Sequence, residues 1–236
     1  MLAGRPSDDN ALNATRTGLP VSNEPPALFR DIHPGHWAYP SVMRAVEYEL
    51  FSGVGGGRFA PDEGMTRAMF VTVLGRMARQ MGVFTHHSGF FPFHDVPVDA
   101  WYSVYVVWAW NVGITQGISE TLFGTNETIT REQAATFFYR FMQRYEIELP
   151  GNGETGFPDM DTVSGWALEA ILEAVRTGLI TGHANGNLAP RETATRAQVA
   201  VMFLRLIDAV QALPDMEDEP EYAPEDESES AEPDAA

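Results

Sequence analysis

The chain has 236 residues, 44% of them hydrophobic, with five Trp and 33 acidic against 15 basic residues, a formal charge of −18. That is enough apolar material to bury a core, and the acidic balance excludes nucleic acid as a partner, whose sequence-independent binding needs a basic surface. Cysteine is absent, which excludes disulfides, thiolate metal sites and thiol catalysis; all 15 basic residues are arginine, which removes Schiff-base and P-loop lysine chemistry.

In chain order, residues 1–28 carry Pro20, Pro25 and Pro26 without periodic pattern and are read as a linker. Their start, "MLAGRPSDDNALNATRTGLP", lacks the apolar core of a signal peptide, and no stretch reaches the roughly 18 apolar residues of a membrane span. The chain is therefore expected to be cytoplasmic, or a fragment of something exported. From residue 29 one unit occurs three times, over 29–91, 92–155 and 156–213, opening with "FRDIHPGHW", "FHDVPVDAW" and "FPDMDTVSGW". The columns hold beyond the openings: Trp37, Trp101 and Trp166; Gly53, Gly117 and Gly182; Thr66, Thr130 and Thr195; Arg76, Arg140 and Arg205. Residues 214–236 form an acidic run that holds 11 of the 33 acids, leaving 22 acids against 15 arginines before it, and read as a disordered tail.

Each unit predicts two helices joined by a glycine-containing loop. The first starts near the Trp; in the third unit Ser164 is the expected cap, Gly178 the terminating residue, and Trp166, Ile171, Ala174 and Val175 the buried face. The second starts at a Thr-Arg pair and carries an i, i+3, i+4, i+7 stripe: Phe70, Val73, Leu74 and Met77, repeated at Ala134, Phe137, Phe138 and Phe141 and at Val199, Met202, Phe203 and Leu206. A helix pair this small cannot bury its stripe alone, so the copies are expected to pack on one another. Thr130 with Gln133, and Thr195 with Gln198, predict capping boxes; Met69 denies the first copy the reciprocal half. Arg67, Arg131 and Arg196 then stand at the first helical position, where the macrodipole disfavours a cation by up to about 1 kcal/mol.

These motifs resemble the S-layer homology family: a Phe-x-Asp opening, a Trp-Ala helix start, a Gly-x-x-x-Gly turn, Phe-x-Pro and then Thr-Arg-Ala-Glu, three times in order over residues 29–210. The resemblance implies a mostly α fold in which three helix-loop-helix repeats form a pseudo-threefold spindle. It also implies inter-repeat grooves holding a secondary cell-wall polysaccharide, often pyruvylated, with the Arg of Thr-Arg as a contact. Departures fall mainly in the first repeat, where Met69 replaces the motif Glu and Glu49 the first turn Gly. A left-handed Glu is strained, so that turn is expected to be rebuilt around Gly53–Gly57, and the grooves of repeats 2 and 3 are expected to be the competent ones.

A cation held at a helix start is tolerable beside an anion, which the guanidinium and the free N–H groups would share. The candidate polysaccharide contacts are Arg67, Arg131 and Arg196, Asp31, Asp95 and Asp159, Trp37, Trp101 and Trp166, and Gly53, Gly117 and Gly182. Structural readings stand beside them: arginines paired with the aspartates, tryptophans as core anchors, aspartates as local caps, and glycines serving positive φ. Arg76, Arg140 and Arg205 read as stabilisers of helix C-termini. His33, His36, His86, His87 and His94 show no zinc-binding pattern and no nucleophile motif occurs, so no catalysis, metal or cofactor is expected. The expectation is a non-catalytic module that anchors a surface protein to a bacterial wall. The alternatives are a protein–protein module for other surface proteins and the anchor piece of an exported enzyme.

Overall fold

The computed structural model describes residues 29–88, 90–153 and 156–213; the linker reading of 1–28 and the tail reading of 214–236 lie outside them. Each repeat contributes a short helix and a long one. The short helices are α1 (Tyr39–Glu47), α3 (Ser103–Asn111) and α5 (Leu168–Arg176), and the long ones are α2 (Arg67–Gln80), α4 (Arg131–Arg144) and α6 (Arg196–Gln211). Two 3-10 turns, Met160–Thr162 and Gly165–Ala167, precede α5. The fold is mostly α, as the periodicity predicts.

Every residue of the three predicted long-helix stripes is buried. The stripes meet at a cluster of rings, with Phe138 and Phe203 at 4.8 Å between centroids and Phe70 at 5.2 and 5.3 Å from them. The column of Phe70 holds Ala134 and Val199 in the other repeats, so one large ring is balanced by two smaller side chains. Around this centre α3 packs on α2, α5 on α4, and α1 on α6. Each short helix therefore lies on the long helix of the preceding repeat, and the first repeat closes on the third. A bidentate Arg44–Asp208 pair spans that closure, at 2.9 Å for one of its bonds. Both side chains are 40% or more exposed, so the pair adds little to stability.

The segments that lead into the long helices close a second ring. Met65 N–H donates to the carbonyl of Ala194 (3.0 Å), Ala194 N–H to Ile129 (2.9 Å) and Ile129 N–H to Met65 (2.8 Å). Antiparallel bridges flank these bonds, pairing Gly64 with Thr195, Thr66 with Thr128 and Thr130 with Thr193. Gly64 shares its column with Thr128 and Thr193, and a Cβ there would lie 2.8 Å from the Thr193 methyl and 3.1 Å from that of Thr128. Two threonine side chains take the space at the third position, which glycine leaves free.

Four local expectations are corrected. Glu49 is not bypassed: it takes up φ +54, the left-handed conformation that Gly113 (+82) and Gly178 (+73) hold in the same column. Of the groove glycines only Gly117 (+79) has positive φ. The column is glycine for space, since a Cβ would fall 2.8, 2.5 and 2.5 Å from the rings of Phe29, Phe93 and Phe157 at Gly53, Gly117 and Gly182. Ser164 does not cap its helix by side chain; its N–H and hydroxyl both donate to buried Glu132 of the preceding repeat at 2.9 Å. The tryptophans are not core anchors: Trp37, Trp101 and Trp166 are 62, 60 and 59% exposed. Each lies two residues before its α-helix begins, in a turn where helical periodicity says nothing about direction.

Candidate functional site: three grooves with walls from all three repeats

The long helices begin as predicted. Thr130 and Thr195 form full capping boxes with Gln133 and Gln198, and Thr66 accepts only from Met69 N–H. The free N–H groups of the next two positions, however, are not open to a ligand. Arg67 and Ala68 donate to the carbonyls of Glu127 and Thr125, Arg131 and Glu132 to Glu192 and Pro190, and Arg196 and Ala197 to Glu63 and Pro61, at 2.8–3.4 Å. Each helix start thus docks into the loop of the following repeat, with the third docking into the first.

The arginine side chain follows the same path. Arg67 Nε donates to Phe123 O (3.0 Å), Arg131 Nε to Leu188 O (2.9 Å) and Arg196 Nε to Phe59 O (2.8 Å). Arg131 and Arg196 each spend a terminal nitrogen as well, on Thr181 O (2.7 Å) and Ser52 O (2.9 Å). The guanidinium of Arg67 has no such second bond and lies over the rings of Phe123 and Phe137, 5.0 and 5.3 Å from their centroids, as that of Arg196 lies over Phe59 at 4.8 Å. Carbonyl oxygens and ring faces supply the negative environment that the helix start denies. Among the described residues no direct ion pair joins these arginines to Asp31, Asp95 or Asp159, although the charges of Asp95, Asp159 and Asp31 favour the protonated forms of Arg67, Arg131 and Arg196 respectively.

Those aspartates hold the loops. Asp31 accepts from the amides of Phe59 and Ala60, Asp159 from Leu188 and Ala189, all at 2.7–2.8 Å. Asp95 accepts from Phe123, Gly124 and a third amide, Thr125. Proline at the column of Thr125, as at Pro61 and Pro190, has no such amide to give. Burial pushes each carboxyl up, yet the backbone amides outweigh it and hold all three below the ordinary carboxylate value. Because the folded values are depressed, this contribution to stability is complete above the unfolded value of about 3.9 and is lost as pH falls through the folded ones. The melting temperature should therefore be level between about pH 5 and 7 and fall steeply below about pH 4, and Asp95→Asn should flatten that fall while lowering the melting temperature at pH 7. Thermal melts against pH check both; an unaltered acid slope in the variant would refute the assignment.

Three cavities open between the repeats, named here by the repeat that supplies the long-helix floor. Groove 1, about 420 Å3, is lined by Gly53, Met69, Thr72 and Arg76 of repeat 1, Arg196 of repeat 3 and Trp101 of repeat 2. In groove 2, about 430 Å3, the corresponding residues are Gly117, Gln133, Thr136 and Arg140, with Arg67 of repeat 1 and Trp166 of repeat 3. Groove 3, about 470 Å3, has Gly182, Gln198, Val201 and Arg205, with Arg131 of repeat 2 and Trp37 of repeat 1. Each volume suits a small-molecule site, and every groove needs all three repeats.

Nine of the candidate residues therefore converge: the arginines, the tryptophans and the glycines, while the aspartates support the loops from outside. The pairing differs from what the repeats suggest in isolation. Arg67 serves the groove with Gln133 and Gly117, Arg131 the one with Gln198 and Gly182, and Arg196 the divergent one with Met69. Arg76, Arg140 and Arg205, read from sequence as helix-end stabilisers, donate to the carbonyls of Leu50, Ile114 and Leu179 and give each groove its second guanidinium. Their signal was the shared column, which the helix-end explanation masked.

Arg67, Arg131 and Arg196 are only 4–5% exposed. Burial pulls all three down, Arg67 to about 10, with the nearby charge of Arg140 acting in the same direction on Arg67 and that of Arg205 on Arg131. They remain protonated at neutral pH. Among the described residues no group of His, Asp and Glu could hold a metal, and no helix is long and apolar enough to cross a membrane.

A sequence model of the S-layer homology domain matches residues 28–69, 92–135 and 156–200. The chain belongs to the S-layer homology family. S-layer homology domains are cell-wall anchoring modules, and the three matched stretches each contain the tryptophan, the groove glycine and the Thr-Arg pair. Over 182 residues this S-layer homology chain is 33% identical to the surface-layer 125 kDa protein of Lysinibacillus sphaericus, covering 75% of the chain and 15% of that protein. It is 29% identical over 180 residues to an endoglucanase of Bacillus sp. (strain KSM-635), covering 76% of the chain and 18% of the enzyme. A cellulosome-anchoring protein of Acetivibrio thermocellus is 27% identical over 154 residues, 62% of the chain and 32% of that protein. The chain thus spans less than a third of the length of each of these relatives.

Proposed function

We propose that this chain is a non-catalytic cell-surface anchor whose three grooves grip an anionic, secondary cell-wall polysaccharide of a bacterial wall. Arg67 is the observation that carries the reading. The residue is 4% exposed, lines groove 2, and spends only its Nε–H on a protein hydrogen bond among the described residues. Its two terminal nitrogens are left without a protein hydrogen bond where they meet the groove, and a planar carboxylate there can take both through parallel bonds. The exposed Trp166 on the same groove offers an aromatic face to a sugar ring.

The relatives support a portable anchor. A surface-layer protein and an endoglucanase share this segment and little of their remaining length in common with the chain, so the shared part is suited to attachment. The test is co-sedimentation with wall sacculi before and after extraction of the polysaccharide. Binding is expected to be lost on extraction and to weaken with salt, as contacts to an acidic polymer do. Undiminished binding to extracted sacculi would replace the polysaccharide with a protein or peptidoglycan partner.

A further inference from the structure

Groove 1 departs from the other two in one further respect. A second cavity, about 520 Å3, adjoins it and shares Phe51, Ser52 and Arg76 as a common wall. Its other lining residues include Glu49, Arg79, Gln80 and Tyr105. None of these is a repeat feature: their columns hold Gly113 and Gly178, Gln143 and Asp208, Arg144 and Ala209, and, for Tyr105, Ser41 and Ala170.

Two observations point to a ligand there. Gln80 donates its amide to Tyr48 O, but its Oε1 is buried with no hydrogen-bond partner, an acceptor awaiting a donor. Glu49 lines the cavity at a position where both other repeats have glycine, so only repeat 1 brings an acidic side chain to this wall. On the donor side, Arg79 is held over the rings of Phe84 and Tyr105, 4.5 and 4.9 Å from their centroids.

Resting on the polysaccharide reading, we propose that groove 1 and this outer cavity form one two-subsite cleft. The inner subsite takes the acidic sugar at Arg196 and Arg76, and the outer one takes the next sugar of the chain, whose hydroxyl or acetamido donors meet Gln80 Oε1 and the Glu49 carboxylate. Repeat 1, with Met69 in its floor, thereby gains selectivity for polymer over a single terminal sugar.

The experiment is calorimetry on the full chain with wall polysaccharide from Lysinibacillus sphaericus, partially hydrolysed and fractionated into single sugars and fragments of two to four. NMR of the Gln80 side-chain amide runs alongside. The longer fragments are expected to shift the Gln80 amide resonances and single sugars to leave them in place. Glu49→Gly and Gln80→Met are each expected to weaken the longer fragments at one site about five- to tenfold and single sugars less than twofold. Glu49→Gly should also melt about 2–4 °C higher, because the left-handed strain is gone. Equal affinity of both variants for the longer fragments overturns the outer subsite while leaving the groove reading intact. If the parent binds no fragment of any length, the polysaccharide reading fails and the outer subsite with it.

Discussion

A chain lacking residues 156–213 is expected to lose cooperative unfolding altogether, although two complete repeats remain. The deletion removes α5 from α4 and α6 from α1, so both exposed ends of the fold are apolar. Phe70 and Phe138 each lose Phe203 from the central ring cluster, and Met65 and Ile129 lose Ala194 from the hydrogen-bonded triangle. Truncating one buried Phe costs about 3–5 kcal/mol. Several such losses exceed the roughly 5–15 kcal/mol by which a domain is stable. Calorimetric melting of the truncated chain should show no transition, and light scattering should show aggregation through the uncovered faces. A sharp melt in a soluble two-repeat chain would mean that the repeats fold as independent beads. The same deletion also removes a wall from all three grooves, so wall binding should vanish entirely.

The second large effect is expected at Arg67. Arg67→Ala should empty groove 2, and with Arg131→Ala, which empties groove 3, binding to isolated wall polysaccharide should fall by more than a hundredfold. A charge-assisted contact in a desolvated groove is worth about 1.5–3 kcal/mol, about ten- to a hundredfold in affinity, and two grooves on one polymer reinforce each other. The single variants separate binding from scaffolding. Arg67 gives the protein one hydrogen bond and packs over Phe123 and Phe137, and Arg131 gives two hydrogen bonds, so each Ala variant should melt a few degrees below the parent, at about 2–4 °C per kcal/mol lost, while still unfolding in one transition. Arg67→Lys keeps a charge but loses the planar fork, and its affinity should fall between the two. Polysaccharide binding by Arg67→Ala as tight as by the parent would make the guanidinium scaffold alone.

Much of this architecture is written in the columns of the repeat. The long helices, their caps and their buried stripes follow from an i, i+3, i+4, i+7 pattern and a threonine three residues before glutamine, because both signals act within one or two helical turns. The capping boxes at Thr130 and Thr195, and the half-cap at Thr66, needed nothing beyond Gln133, Gln198 and Met69. Tertiary structure decided what lies across a repeat boundary. Arg67, Arg131 and Arg196 occupy one column, but each side chain reaches into the loop of the next repeat, so the arginine beside Gln133 in sequence is not the one that shares its groove. Trp37, Trp101 and Trp166 precede their helices, where direction is set by the turn and not by periodicity. Glu49 holds a glycine's conformation because Leu50 and Phe51 on its C-terminal side are buried in a core that overrides one residue's strain. Local rules act over a few residues and were legible; the grooves join residues far apart in the chain, Arg196 and Ser52 being 144 positions apart, and only ring closure brings them together.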